Sequence, residues 1–417
     1  MNKKLVHRTL ENGLQVYFYP DSNKHSVLID LIVHYGAFHS DFISDGKKVH
    51  MRNGMAHLIE HLLYERSKSG NFRELFGHKQ MQTNASTYTY VTDYYVDTVE
   101  DVEFALQHLI EGISVPVFTR EDIEATKPAI YQEIRMRNDE IGRSAYKSKI
   151  RNLFQNYSYI DGLGTLEDVE SFTYEQVKLC YDTFYQPKNE ILFITGNFDV
   201  EELYQKIQEI YASLEFQDIS FSFSSIPEPI EVKKQYDKIM MPTPKDYVSI
   251  SYKLDFSRYS NEKRRMLSYY LNFFLREHFG VISPLYKKLM DEKVIDTLLD
   301  YDFDYLEDYL MITVSGYTND EEIFTKKVRE VLESPKGLKE KFFILNLKDK
   351  KMGQLCTDFS LYQLSCQFKE NVSYYHYADF DTAEDLESLC FQDFKSFIEG
   401  LEFKEYCVTK ITDVKKV

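Results

Sequence analysis

The run Gly54-Met55-Ala56-His57-Leu58-Ile59-Glu60-His61-Leu62-Leu63-Tyr64-Glu65 constrains this chain more than any other stretch. It reads as one amphipathic helix. His57, Glu60 and His61 stand at i, i+3 and i+4, so they share a face. The flanking Leu58, Ile59, Leu62 and Leu63 predict a helix buried over much of its surface, so the fold must pack around it. Two imidazoles one turn apart can grip one zinc ion. A carboxylate between them can take a proton from water on that metal. The order is H-x-x-E-H, the inverse of the commoner H-E-x-x-H. Without a further ligand, two such histidines would read as satisfied side chains on a half-buried helix.

A catalytic zinc usually has three protein ligands and an open position. The best third ligand is Glu133, 72 residues after His61, in Pro128-Ala129-Ile130-Tyr131-Gln132-Glu133-Ile134. A glutamate in mid-helix between Ile130 and Ile134 can point inward. His50, His78 and His108 fit no ligand spacing and read as structural or surface residues.

Charge narrows the partners. Lys and Arg total 50 against 67 Asp and Glu, a net −17 in 417 residues. That argues against nucleic acid, whose phosphates need a basic face, and disfavours anionic membrane surfaces. No stretch approaches the ~20 apolar residues of a membrane span. Cys180, Cys356, Cys366, Cys390 and Cys407 are odd in number and scattered. They read as reduced thiols. The opening Met-Asn-Lys-Lys-Leu-Val-His-Arg has no apolar run behind its basic residues and does not read as a secretory signal. Together these predict a cytoplasmic protein.

Residues 14–20, 26–35 and 191–195 are β-branched and aromatic and predict strands, and 81–97 predicts extended chain, two strands. Helical patterns cover 71–77, 101–113, 121–155, 173–185 and 199–213. Serines and prolines cluster around 217–236, which predicts a linker over 218–236 between domains 1–217 and 237–417. The second half reads as strands at 247–252, 309–316 and 406–410. Its helices fall near 260–279, 283–292, 320–332, 352–372 and 383–398. The expected class is α+β: two similar α/β sandwich domains, each a mostly antiparallel sheet with helices.

Several blocks together resemble the insulinase, or pitrilysin, family of zinc metallopeptidases, the inverzincins. Leu10-Glu11-Asn12-Gly13-Leu14 resembles its opening hairpin, and Gly54 to Glu65 its metal helix. Thr83-Asn84-Ala85-Ser86-Thr87 is similar to its Asn-Ala-x-Thr strand, and Gln132-Glu133-Ile134 to its distal ligand helix. Gly164-Thr165, Phe184 to Asn189 and Thr195 to Asp199 match its downstream blocks. The chain length is similar to the short-chain branch, which includes the mitochondrial processing peptidase subunits and bacterial processing proteases.

The resemblance implies a zinc endopeptidase forming half of a clamshell, with one Zn²⁺ per chain on His57, His61 and Glu133 and with Glu60 as general base. It implies short or unfolded peptides as substrates, and a homodimer or a heterodimer with a paralogous chain. It sets the edge strand with Asn84 and Ala85 beside the metal helix, as a place for substrate; the plain alternative is that Asn84 only shapes a turn. Some relatives are non-catalytic scaffold subunits of larger complexes, which is one alternative reading here; an active subunit that works only with a paralogous partner chain is the other. Two positions depart from the family. Its frequent second glutamate, seven residues before the distal ligand, is Thr126 here, with Glu124 nearby as a candidate supporting residue. In Ser283-Pro284-Leu285-Tyr286-Lys287-Lys288-Leu289-Met290, methionine stands where many members hold substrate with arginine. The second domain is expected to bind no metal.

Overall fold

A computed structural model of the chain describes residues 5–157, 162–335, 337–356, 359–380 and 383–414. It divides into two compact units. The first takes Met1–Met136, Ile160–Ser225 and Phe359–Ser373; the second takes Arg137–Tyr159, Ile226–Asp358 and Tyr374–Val417.

The strands of the first unit are β1 (Val6–Thr9), β2 (Gln15–Pro20), β3 (Val27–Val33), β4 (Asp41–Ser44), β5 (Lys47–His50), β6 (Gln82–Thr87), β7 (Thr92–Thr98), β8 (Glu190–Gly196) and β9 (Phe221–Phe223). Six of them form one sheet in the order β1-β2-β8-β3-β7-β6. β2 and β8 run parallel and the other pairs are antiparallel. Asn12-Gly13 makes the first turn: Gly13 has φ +91°, and the Asn12 side chain accepts from the Leu14 N–H at 3.2 Å. β3 and β8, in the middle of the sheet, are buried at every residue, as two covered faces require. One face, through Val16, Phe18, Ile29, Leu31, Val33, Tyr94 and Val96, holds the main core with α1 (Met55–Glu65) and α3 (Val102–Ser114). α2 (Phe72–Gly77) lies between these helices in sequence and adds Phe72 and Phe76 to that core. On the other face Phe193 stacks on Phe368 at 4.3 Å. β5, β4 and β9 form a small separate sheet.

The second unit holds β10 (Tyr236–Met240), β11 (Asp246–Asp255), β12 (Asp300–Leu306), β13 (Tyr309–Thr318) and β14 (Glu405–Thr412) in the order β10-β14-β11-β13-β12. Only β10 and β14 pair in parallel. Val248, Ile250 and Tyr252 share the second core with Leu271 and Phe274 of the helix Asn261–Phe279. The mixed α and β fold with mostly antiparallel sheets is the expected class.

The structure departs from the sequence reading in places. The helix expected over 121–155 is two: α4 (Arg120–Asn138) and α5 (Ile141–Leu153). Glu140 between them is extended, φ −82° and ψ 123°, and the Asn138-Asp139 pair before it offers side chains that compete for helical backbone groups. The break falls beside the point where the chain passes from the first unit to the second. The expected linker 218–236 contains β9, which pairs with β4, and ends at the first residue of β10. The helix expected over 352–372 is replaced by Glu340–Cys356 and Leu361–Tyr375, with 357–358 outside the described residues. Each unit draws on both halves of the sequence: Phe359–Ser373 joins the first and Arg137–Tyr159 the second, unlike a contiguous split at 217 and 237. Among the described residues no helix is long and apolar enough to cross a membrane.

Candidate metal centre

Gly54, whose φ is +93°, immediately precedes α1 as its cap. A Cβ there would sit 2.5 Å from the Leu163 carbonyl oxygen, and one on Gly164 would sit 2.3 Å from that of Asn53. Two backbones therefore pass in contact at the start of the helix, where only glycine fits. From there Met55, Leu58, Ile59, Leu62 and Leu63 go into the core. Such side chains contribute roughly 1.5–3 kcal/mol each when fully buried. That anchoring fixes the rotation of the helix, and so fixes the face carrying His57, Glu60 and His61.

α4 brings Glu133 to that face. Its neighbours Ile130 and Ile134 are buried, which turns the carboxylate toward α1. Glu133 Oε2 lies 3.5 Å from His57 Nε2 and 3.6 Å from His61 Nε2. One ligand atom from each of His57, His61 and Glu133 falls within 4.8 Å of the others. Tetrahedral zinc with ligands about 2.1 Å away keeps them roughly 3.4 Å apart. Spacing and donor types therefore fit zinc, whereas Mg²⁺ and Ca²⁺ prefer all-oxygen shells.

Glu60 Oε2 stands 4.0 Å from His57 Nε2. Burial pushes its pKa up to about 7; His61 and Thr87 act the other way, and Glu133 adds to the rise. Burial disfavours a charged His61, but its hydrogen bond to Glu133 and the charges of Glu60, Glu133 and Glu65 outweigh that and raise its pKa.

The remaining sequence-derived residues are placed differently. Glu124 is not part of this group; its carboxylate is largely exposed and pairs with Lys127 at 2.7 Å. Thr126 is buried and donates to the Asp122 carbonyl at 2.9 Å. Asn84 is exposed and Ala85 is buried, both on β6 at the edge of the sheet. Tyr88 N–H donates to Val91 at the end of the β6–β7 hairpin. Hydrogen-bonded pairs alternate along such a ladder. The pairs 84↔95 and 86↔93 are thus of the bonded kind, and the N–H and C=O of Ala85 face away from β7. His50 pairs with Asp41 at 2.8 Å, and His108 meets the Phe104 carbonyl at 2.9 Å.

Two residues escaped the sequence reading. The Thr87 hydroxyl donates to Glu60 Oε2 at 2.9 Å, and the Tyr64 hydroxyl donates to the Thr83 carbonyl at 3.2 Å. Both tie α1 to β6. Their signal was present, since Thr87 ends the Asn-Ala-x-Thr run and Tyr64 belongs to the metal helix, but neither residue type announces a hydrogen bond.

Residues 16–161 match the family model Insulinase (Peptidase family M16), and residues 171–341 match Peptidase M16 inactive domain. The uncharacterized zinc protease YmfH of Bacillus subtilis is 28% identical over 338 residues, covering 80% of this chain and 78% of that protein. The crystal structure of an M16-like peptidase from Alicyclobacillus acidocaldarius superposes with a TM-score of 0.89 at 23% identity, covering 99% of both chains. The periplasmic protease PqqL of Escherichia coli gives 0.74 at 16% identity, covering 99% of this chain and 48% of its own. Two models of one family thus span well over half of the sequence, in the order in which the two units begin, and the chain belongs to the insulinase family, peptidase family M16.

Proposed function

We propose that this chain is a zinc-dependent endopeptidase. The observation that carries the reading is the meeting of Glu133 Oε2 with His57 Nε2 and His61 Nε2, with the Glu60 carboxylate beside them. His57, His61 and Glu133 would hold one zinc per chain. Zinc there would supply Lewis acidity toward water and toward the scissile carbonyl oxygen. Glu60 would accept the proton from water and pass it to the departing amine. Glu60 is buried beside the two histidines, where a carboxylate can take and return a proton.

The edge strand β6 would receive the peptide. An extended peptide can pair with outward N–H and C=O groups as an added strand, with little demand on side-chain identity. Ala85 offers such a pair, and Asn84 stands exposed beside it. A chamber closed by a second chain, a copy or a paralogue, would restrict substrates to short or unfolded peptides. The half-length match to PqqL supports that arrangement. Cys180, Cys366, Cys390 and Cys407 are free thiols, and the Cys356 side chain lies outside the described residues. This supports a reducing, cytoplasmic setting.

The alternative is a non-catalytic subunit. It takes support from the match of residues 171–341 to a domain described as inactive. Metal analysis and peptide hydrolysis separate the two. The purified chain should carry close to one zinc and lose hydrolysis with chelator. Glu133→Ala should strip most of the metal. Glu60→Gln should keep zinc and lose about 10²–10⁴ in rate. Full metal occupancy in Glu133→Ala would mean that another residue is the third ligand.

A further inference from the structure

Two carboxylates face the same pair of histidines, yet the proposed reaction needs one to bind metal and the other to stay free for protons. Glu133 Oε2 is 3.5 and 3.6 Å from the two Nε2 atoms, and Glu60 Oε2 is 4.0 Å from His57 Nε2. The difference is only about half an ångström, and a glutamate side chain has the reach to close it. Something must hold Glu60 back.

Thr87 does so by geometry. Its hydroxyl donates to Glu60 Oε2 at 2.9 Å. The neighbouring Thr92 hydroxyl, 3.4 Å from that of Thr87, gives its own proton to the Tyr35 carbonyl at 2.8 Å. The single proton of Thr87 goes to Glu60, the nearer acceptor. Thr87 is itself fixed, as the last residue of β6 paired with Thr92 across the hairpin. Tyr64, one turn along α1 from Glu60, holds the carbonyl of Thr83, four residues back along β6. The tether thus joins two elements that cannot slide past each other.

We propose that Thr87 is a positioning residue that keeps Glu60 a base rather than a metal ligand, and that couples the base to the strand on which substrate would lie. This rests on the reading of Glu60 as general base. The hydroxyl restrains the Glu60 oxygen that lies toward His57, and with it the plane of the carboxylate. Without it, the carboxylate can rotate toward the histidines and compete for the metal.

The test uses the full chain with zinc and with cobalt(II) in its place. Thr87→Val removes the hydroxyl and keeps the branched shape, whereas Thr87→Ser keeps the hydroxyl. Thr87→Val should fold and bind one metal. Its kcat should fall on the order of 10–100-fold with KM little changed, as expected for loss of a hydrogen bond to a charged group. Thr87→Ser should recover most of that loss. The visible spectrum of the cobalt form should shift in Thr87→Val as Glu60 reaches the metal, and the shift should vanish in Thr87→Val combined with Glu60→Gln. If Thr87→Val does not fold, Thr87→Ala removes the same hydroxyl and is read by the same two measures. Wild-type kcat with an unchanged cobalt spectrum, in a background where Glu60→Gln is inactive, would overturn the role of Thr87 alone. A fully active Glu60→Gln would instead remove the base, and the role of Thr87 with it.

Discussion

Glu190 shows what one buried side chain does to the whole stability profile. It lies on β8 with both faces of the sheet covered, and its carboxyl is pushed up to about 8 by burial, opposed by the Tyr211 hydroxyl at 3.3 Å. Its other oxygen has no hydrogen-bond partner among the described residues. The native state therefore keeps the proton that the unfolded chain releases near the ordinary value of 4.5. Below that value both states are protonated and the stability is fully present. As pH rises toward about 8, the unfolded chain ionises first. Stability then falls by at most about 1.4 kcal/mol per pH unit. Glu190→Gln should match the parent near pH 4 and exceed it at pH 8, measured by urea midpoints. The same decline in parent and variant would show that Glu190 is not its source. Nothing in the sequence marks this residue, since a glutamate at the start of an apolar run reads as a strand boundary.

At the scale of elements, the first unit carries a cation between strands. Lys369, on the helix Leu361–Tyr375, pairs with Asp93 of β7 and lies 3.2 Å from Asp30 of β3; Ser365 also bonds Asp30. All three ionic side chains are buried. Burial and the charge of Asp30 raise the Asp93 pKa, and Lys369 opposes them. Removing one partner of a buried pair leaves an uncompensated charge, which costs about 3–5 kcal/mol. Lys369→Met should destabilise by that order in a denaturant titration, and adding Asp93→Asn should recover part of the loss. If the Lys369→Met chain is as stable as the parent, the helix is held by its aromatic contacts alone. The edge strand gives a second prediction. Ala85→Pro removes a donor that faces away from β7 and fixes φ. The variant should stay folded and zinc-loaded, while kcat/KM for peptides falls at least tenfold. Loss of zinc together with the fold would make β6 a structural strand, and unchanged kinetics would send the substrate groove elsewhere.

For the whole molecule the prediction concerns assembly. This chain covers 99% of its own length but 48% of PqqL, so a longer relative holds this fold in about half of its chain. If the proposed chamber needs two such chains, sedimentation at micromolar concentration should give the mass of two. Where the preparation is monomeric, activity should appear on mixing with a paralogous chain. A monomer that cleaves peptides at full rate by itself would rule out the two-chain chamber.

That His57, Glu60 and His61 share one face of a helix was legible because helical period is local, whereas the approach of Glu133 to them is made by the fold. The α+β class was legible for the same reason, since β3 and β8 carry largely apolar runs and Asn12-Gly13 marks its own turn. Tertiary structure decided what depends on contacts distant in sequence. It brought the hydroxyl of Thr87, at the end of the β6 ladder, onto Glu60. It hid β9 in a run whose serines and prolines read as a linker, because its pairing with β4 is made by backbone groups that every residue possesses. It also exchanged Phe359–Ser373 and Arg137–Tyr159 between units, since which surface buries a helix is set by the shape of the facing sheet and not by the helix's own period.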